Sequence, residues 1–135
     1  MAAVAVVIGA GFGGLLRWLL ALAFQSGQGA LPWGTLVANL LGGLLIGMGL
    51  HVLGDANPLG LDPARAAQMR LLCITGFLGG LTTFSTFSSE VVAYLMDGRW
   101  GLAALWALIH LLGSLALTAL GLALSRWWIP ASTIS

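Results

Sequence analysis

Polar side chains recur at helical spacing inside apolar stretches of this chain. Near the C-terminus, Trp106, His110 and Ser114 follow one another every four residues, and in an earlier stretch Thr35 precedes Asn39 by one turn. A spacing of four places side chains on one face of a helix. Because polar groups at membrane depth cost free energy, they usually face protein or water rather than lipid. The pattern therefore predicts polar lines on the inner faces of helices.

The two histidines raise the question of a metal site, which the sequence disfavours. Neither His51 nor His110 has a Cys, Asp or Glu at ligand spacing. A single cysteine, Cys73, excludes an internal disulfide and a cage of thiolates. We expect these histidines to be interior residues satisfied by hydrogen bonds.

The segment from Gly76 to Glu90 combines helix-weakening residues with many hydroxyl groups. Its paired glycines, Gly79 and Gly80, are followed by paired threonines, and both residue types propagate a helix poorly. We therefore predict an interrupted helix. At membrane depth an interruption persists only where the freed backbone groups are buried in protein or bind something. Carbonyls that end the first half can hold a cation, and amides that begin the second half favour an anion.

Two sets of side chains follow the predicted interruption. Thr82, Thr86 and Glu90 form a line at i, i+4 and i+8, whereas Phe84 and Phe87 lie together on a different face. The alternative is a simple glycine kink with two packing phenylalanines and surface hydroxyls. The density of hydroxyls beside a carboxylate favours the interrupted helix.

The composition places these residues in an all-α integral membrane protein. Of 135 residues, 59% are hydrophobic and only 7% are charged, and the mean hydropathy is +1.02. A soluble domain carries about 25% charged residues. Because no lysine is present among the five basic residues, we expect no nucleic-acid partner. Four stretches of suitable length form a single transmembrane domain over residues 1–135, and they lack the alternation of a β-barrel. These predicted spans are residues 4–24, 36–53, 71–96 and 102–128.

Short loops separate the predicted spans. The first loop covers residues 25–29 and Pro32, and the second runs from Gly54 to Asp62, a predicted N-cap followed by Pro63 as the first helical residue. The third is a tight turn at residues 97–99. A cleaved signal peptide is disfavoured for the first span, since no basic residue precedes it and the apolar run is too long.

Charge and glycine placement bear on assembly. With both termini on one side, that side holds Arg65, Arg70 and Arg126, and the other holds Arg99. This small bias fits a chain inserted in both orientations, and it equally fits chance in a count of five.

Small residues four apart let helices approach closely in lipid. We expect a homo-oligomer, because four thin helices leave little room for a pathway in one copy. The small-residue sets are Gly9/Gly13, Gly43/Gly47, Gly76/Gly80 and Gly113/Ala117/Gly121.

Together these motifs resemble the bacterial Fluc/CrcB family of fluoride channels. The segment from Gly76 to Ser88, with Glu90, is similar to the signature of that family's third helix. Residues 13–18 resemble its arginine motif and residues 32–40 its asparagine motif, while residues 110–121 are similar to its fourth helix. The resemblance covers nearly the whole chain, with all four spans in order.

The resemblance implies a passive fluoride channel, not an enzyme, that lowers cytoplasmic fluoride from within the bacterial inner membrane. It implies an antiparallel, dual-topology homodimer with two pores, each built from both subunits. A structural sodium ion would sit at the dimer centre on the backbone carbonyls of Gly79 and Thr82. Arg17 matches a vestibule residue, and some family members carry a tyrosine in place of Trp106. The implied pore residues are Asn39, Phe84, Ser85, Thr86, Phe87, Glu90, Trp106, His110 and Ser114.

Three other functions fit the sequence less well. A small multidrug transporter fits the length, but it would need a carboxylate in the first span, which has none. A membrane scaffold would explain the glycines and leave the polar lines unexplained. An intramembrane enzyme would need a nucleophile and base, or a metal set, at a suitable spacing.

Overall fold

The computed structural model describes residues 1–24, 31–54 and 57–129, and the regular structure in these ranges is entirely helical. Four stretches are long and apolar enough to cross a membrane: Ala2–Ala23, Trp33–Val52, Pro63–Met96 and Trp100–Trp128. The prediction of an all-α chain with four such stretches is confirmed. The loop predicted at residues 25–29, and residues 55–56 of the second loop, lie outside the described residues.

The helices are numbered in chain order. Helices α1 and α2 are Ala2–Ala23 and Trp33–Val52, and α6 is Trp100–Trp128. The third stretch is composite. It consists of α3 (Pro63–Met69), a π-helical segment (Arg70–Leu78), α4 (Gly79–Leu81) and α5 (Phe84–Met96).

The ends of the third stretch follow local sequence signals. The carboxylate of Asp62 accepts hydrogen bonds from the amides of Ala64 (3.1 Å) and Arg65 (3.0 Å), and Pro63 is the first helical residue, as predicted. The helix therefore begins before the apolar run that starts at Leu71. The second helix likewise begins at Trp33, ahead of the predicted residue 36.

A glycine turn joins α5 to α6. Gly98 has φ +71°, a conformation that glycine adopts without steric cost. The amide of Arg99 donates to the carbonyl of Tyr94 (2.9 Å), and the amide of Gly98 donates to that of Leu95 (3.1 Å). This pair of bonds is a Schellman motif, which satisfies the last carbonyls of α5. The tight turn predicted here is confirmed, and it sets α5 beside α6.

Glycines mediate the closest helix contacts, as the spacing predicted. Helix α1 packs mainly on the π-helical segment, and its buried residues are Gly9 and Gly13. A Cβ atom at Gly13 would collide with the carbonyl oxygen of Phe77. Helix α2 packs along α6 in the same way, and a Cβ atom at Gly47 would meet the carbonyl oxygen of Thr118. These glycines allow backbone to approach backbone.

The helical path of the third stretch stops at the paired threonines rather than at the paired glycines. Gly79 and Gly80 are helical, whereas Thr82 (φ −81°, ψ 153°) and Thr83 (φ −150°, ψ 117°) are extended. A Cβ atom at Gly80 would lie 2.5 Å from the carbonyl oxygen of Ala10. Gly80 is therefore needed for contact with α1, and within the segment of paired glycines and threonines the extended backbone falls on the threonines.

Neighbouring glycines on α1 give a matched test of this packing. We expect Gly13→Ala to lower the free energy of unfolding by about 1–3 kcal/mol, because the new methyl group overpacks the interface with Phe77. Gly14→Ala is the control, since its Cβ atom would meet nothing within 4 Å, while both changes gain the same helix propensity. Thermal unfolding of the purified protein in detergent measures both. Equal stability of the two variants would contradict the packing role of Gly13.

Candidate functional site

An open cleft of about 490 Å³ lies between α2, the composite third stretch and α6. Its wall is mostly apolar, with polar groups at a few points. Seven of the predicted site residues line it: Asn39, Gly79, Thr82, Phe84, Phe87, His110 and Ser114. The structure therefore gathers residues from three predicted spans around one space.

Asn39 holds the start of α5 in place. Its Oδ1 accepts a hydrogen bond from the amide of Thr83 (2.8 Å), and its Nδ2 donates to the carbonyl of the same residue (3.1 Å). Thr83 is buried and lies in the extended pair, where it cannot make both of its helical backbone bonds. The Asn39 side chain therefore supplies the partners that the interruption removes.

Asn39 also reaches α6. Its Nδ2 lies 3.2 Å from Nδ1 of His110, a residue that is buried between two aromatic rings. The Phe87 ring stacks on the imidazole with a centroid distance of 4.6 Å, and Trp106 packs edge-on at 5.2 Å. These contacts bring Asn39, Phe87, Trp106 and His110 together.

Glu90 lies at the other end of this group, on α5. Its Oε1 accepts a hydrogen bond from the hydroxyl of Thr35 (2.5 Å), and its Oε2 accepts one from Nε1 of Trp106 (3.0 Å). A carboxylate in apolar surroundings is stabilised when both oxygens are hydrogen-bonded. Because indole has a single N–H group, Trp106 commits its only donor to Glu90.

The two phenylalanines differ in exposure. Phe84 and Phe87 pack edge to face with centroids 5.5 Å apart, as their spacing predicted. Phe87 is half-buried against His110, whereas Phe84 is 78% exposed. A phenyl ring that is mostly exposed on the wall of a cleft packs poorly within one protomer, so the interpretation of both rings as core is not supported there.

Hydroxyl groups cap the second half of the third stretch. Thr83 is the N-cap of α5, and its Oγ1 accepts from the amide of Thr86 (3.2 Å) while donating to Thr86 Oγ1 (3.0 Å). Ser85 Oγ lies 3.2 Å from Thr83 Oγ1. Ser85 and Thr86 are exposed in the protomer. The capping bonds fix the direction in which the amides at the start of α5 point.

Two site residues lie apart from this group. Thr82 belongs to the extended pair and lies outside α5, which carries Thr86 and Glu90, so the predicted helical line of all three is wrong. The hydroxyl of Thr82 donates to the carbonyl of Leu78 (2.9 Å). Arg17 is half-buried on α1 and does not line the cleft.

Two residues of the group were not among the predicted site residues. Thr35 binds Glu90, and the only sequence signal for it is its position one turn before Asn39. Thr83 anchors Asn39 and caps α5. Its signal is a threonine that follows helix-weakening glycines and stands three residues before another hydroxyl residue.

The backbone near the interruption has oxygen atoms suited to a hard cation. The amide of Thr83 donates to Asn39, so it does not serve the carbonyl of Gly79 as it would in a continuous α-helix. Gly79 and Thr82 both line the cleft. Within residues 1–24, 31–54 and 57–129, no group of three or more His, Cys, Asp or Glu could hold a metal ion.

Comparison with known proteins identifies similar chains. The family described as CrcB-like protein, Camphor Resistance (CrcB), matches residues 4–122. The chain is 50% identical to the fluoride-specific ion channel FluC of Burkholderia lata over 129 residues, which is 96% of each chain. It is 56% identical to the protein of the same name from Cupriavidus taiwanensis over 119 residues, covering 88% of this chain and 90% of that one.

The bond between Trp106 and Glu90 can be tested through stability. We expect Trp106→Phe to lower the free energy of unfolding by about 1–3 kcal/mol beyond the packing loss, because Glu90 Oε2 loses its donor. In a Glu90→Ala background, Trp106→Phe should lower the free energy of unfolding by a smaller amount, since no carboxylate is left unpaired. Thermal unfolding measures both, with the exposed Trp127→Phe as control. If Trp106→Phe lowered the free energy of unfolding equally in both backgrounds, Trp106 would contribute packing alone.

Proposed function

This chain belongs to the CrcB family, and on that basis we propose that it is a fluoride-selective channel. The proposal rests on family membership over most of the chain and on similarity to channels named fluoride-specific over nearly full length. Transport is passive and lowers cytoplasmic fluoride. The protein crosses the bacterial inner membrane several times through its four apolar helical stretches.

The observation that carries this proposal is the convergence of neutral polar side chains and aromatic rings on one apolar cleft. Asn39, His110 and Ser114 line that cleft, and Phe84 and Phe87 line the same space. Fluoride is small and strongly hydrated, so a pore must replace its water with donors. The positive edge of a phenyl ring can also face an anion. Donors of moderate strength in a row allow the ion to leave as well as enter.

Glu90 belongs to the same polar route without repelling the ion at full strength. Both of its oxygens accept hydrogen bonds, from Thr35 and Trp106, which disperse the negative charge. Ser85 and Thr86 add hydroxyl donors along the exposed face of α5. In this arrangement Trp106 supports the pore through Glu90, because its N–H group is already engaged. Arg17 contributes positive charge at the aqueous entrance.

The extended pair at Thr82 and Thr83 lies at mid-membrane in this proposal. A structural sodium ion binds there through the main-chain carbonyls of Gly79 and Thr82, at the boundary between two subunits. The diversion of the Thr83 amide to Asn39 supports this, since it leaves the Gly79 carbonyl without its helical donor. A fixed cation lowers the electrostatic cost of bringing an anion into a medium of low dielectric constant.

Two copies of the chain form the channel. The cleft is open along one side of the protomer, and Phe84 on its wall is 78% exposed. A second copy in the opposite orientation covers this side, so that each of two pores takes residues from both subunits. The difference in arginine number between the two sides of the membrane is small, which supports insertion in both orientations.

Fluoride efflux from liposomes tests the function and the role of the phenylalanines. We expect the purified protein to release fluoride, measured with a fluoride electrode, without ATP or a proton gradient, and to release chloride far more slowly. Phe84→Leu should slow fluoride roughly a hundredfold, corresponding to about 2.7 kcal/mol, because leucine offers no positive edge. Phe12→Leu is the matched control, since Phe12 is also exposed but lies on α1 outside the cleft.

The possible outcomes of the efflux assay separate two claims. Chloride release as fast as fluoride release would refute selectivity. Normal fluoride flux in Phe84→Leu and Phe87→Leu, both still dimeric by size-exclusion chromatography, would refute the pore assignment of the rings.

Antiparallel assembly is tested by labelling. In a Cys73→Ser background, a cysteine added after Ser135 should react with a membrane-impermeant maleimide from both faces of the inner membrane. The reason is that the arginine bias is too small to fix one orientation. Labelling intensity is measured on intact cells and on inverted vesicles. Reaction from one face alone would rule out dual topology, independently of the transport result.

A further inference from the structure

The orientation of the Asn39 amide is set by the main chain. A side-chain amide can be placed in two flipped positions, and its neighbours decide which one is correct. Thr83 presents one donor and one acceptor of fixed identity to Asn39, an N–H group at 2.8 Å and a carbonyl at 3.1 Å. Only one orientation satisfies both, with Oδ1 toward the amide and Nδ2 toward the carbonyl. Because Thr83 is 6% exposed, the flipped orientation would leave both backbone groups buried without partners.

The Asn39 amide in turn determines where His110 carries its proton. Nδ2 of Asn39 is a donor only, and it lies 3.2 Å from Nδ1 of His110. His110 Nδ1 must therefore accept, which requires that it carry no hydrogen. The ring is then neutral, with its hydrogen on Nε2. The Thr83 backbone therefore fixes the Asn39 amide, and the Asn39 amide fixes the tautomer of His110.

His110 Nε2 has no partner within the described part of the chain. The atom is buried, and the residue is 4% exposed. The rings of Phe87 and Trp106 pack against the imidazole at centroid distances of 4.6 and 5.2 Å. Buried N–H groups are nearly always hydrogen-bonded. An unpartnered N–H group on His110, which lines the cleft, therefore calls for an acceptor.

We propose that the Thr83–Asn39–His110 relay holds His110 as the neutral Nε2–H tautomer, and that this N–H group donates to fluoride. The inference rests on the proposed function and deepens it. Asn39 is a positioning residue for His110 in addition to lining the cleft. A neutral donor binds the ion through a bond dipole, whereas an imidazolium would bind it as a full charge and slow its exit.

Nitrogen NMR tests the tautomer directly. The protein is labelled with ¹⁵N-histidine in a His51→Gln background, so that His110 is the only histidine. His51 lies at the end of α2, where its Nε2 contacts the carbonyl of Ile129 (2.8 Å), a bond that glutamine can replace. Long-range ¹H–¹⁵N correlation should show a protonated Nε2 and an unprotonated Nδ1. A proton on Nδ1, alone or together with Nε2, would overturn the proposal.

Asn39→Asp tests the relay. Its carboxylate can still accept from the Thr83 amide, but it offers His110 an acceptor instead of a donor. The hydrogen should move from Nε2 to Nδ1 of His110. The Nδ1 resonance should then be that of a protonated nitrogen, and the Nε2 resonance that of an unprotonated one. Retention of the Nε2–H tautomer in this variant would show that Asn39 does not control it. If the Asn39→Asp variant does not fold, the spectrum of the protein that retains Asn39 still decides the tautomer.

Fluoride addition and transport separate this inference from the proposed function. In the protein that retains Asn39, sodium fluoride should shift the His110 Nε2–H resonance. An equal concentration of sodium chloride should leave that resonance unchanged. His110→Leu should slow fluoride efflux about 10- to 100-fold, with a smaller loss in His110→Gln, which retains an amide donor. Fluoride conduction with an unresponsive Nε2–H resonance would refute the inference and leave the channel function standing. Absence of conduction despite the expected tautomer would refute the proposed function and the fluoride part of the inference.

Discussion

The contact between the Asn39 side chain and both backbone groups of Thr83 is the interaction on which the site depends. Two extended residues within an apolar helical stretch leave peptide groups without their helical partners, which is costly where water is excluded. Asn39 satisfies one N–H and one carbonyl at once. It thereby allows α5 to begin at a defined point, with Thr83 as its cap.

The position of His110 follows from the same contact. Once Oδ1 and Nδ2 of Asn39 are assigned by Thr83, a donor faces the imidazole of α6. The rings of Phe87 and Trp106 then confine that imidazole. One turn further along α5, Glu90 joins Thr35 on α2 to Trp106 on α6. The polar groups therefore connect three parts of the chain. Each group supplies a hydrogen-bond partner to another, in surroundings where an unpaired polar group would destabilise the fold.

Glycine contacts make this arrangement possible by holding the helices close. Gly13 and Gly80 bring α1 onto the composite third stretch, and Gly47 brings α2 onto α6. Without a hydrophobic force between helices in lipid, association depends on such close packing and on hydrogen bonds between helices. Of the paired glycines in the third stretch, Gly80 therefore acts in packing, while the threonines that follow carry the extended backbone.

The sequence by itself determined the features that depend on neighbouring residues. Apolar length predicted four helical stretches, Asp62 and Pro63 predicted a helix start, and Gly98 predicted the turn before α6, because each of these signals acts within a few residues. Spacing also predicted that His110 and Ser114 share a face, and both line the cleft. Only the tertiary structure decided where the third stretch is interrupted and which polar groups meet. Helical periodicity fixes the face of a side chain but not the helix that faces it. The pairing of Asn39 with Thr83, and of Glu90 with Thr35, joins residues 44 and 55 positions apart, and it depends on the closeness of helices that glycine packing sets.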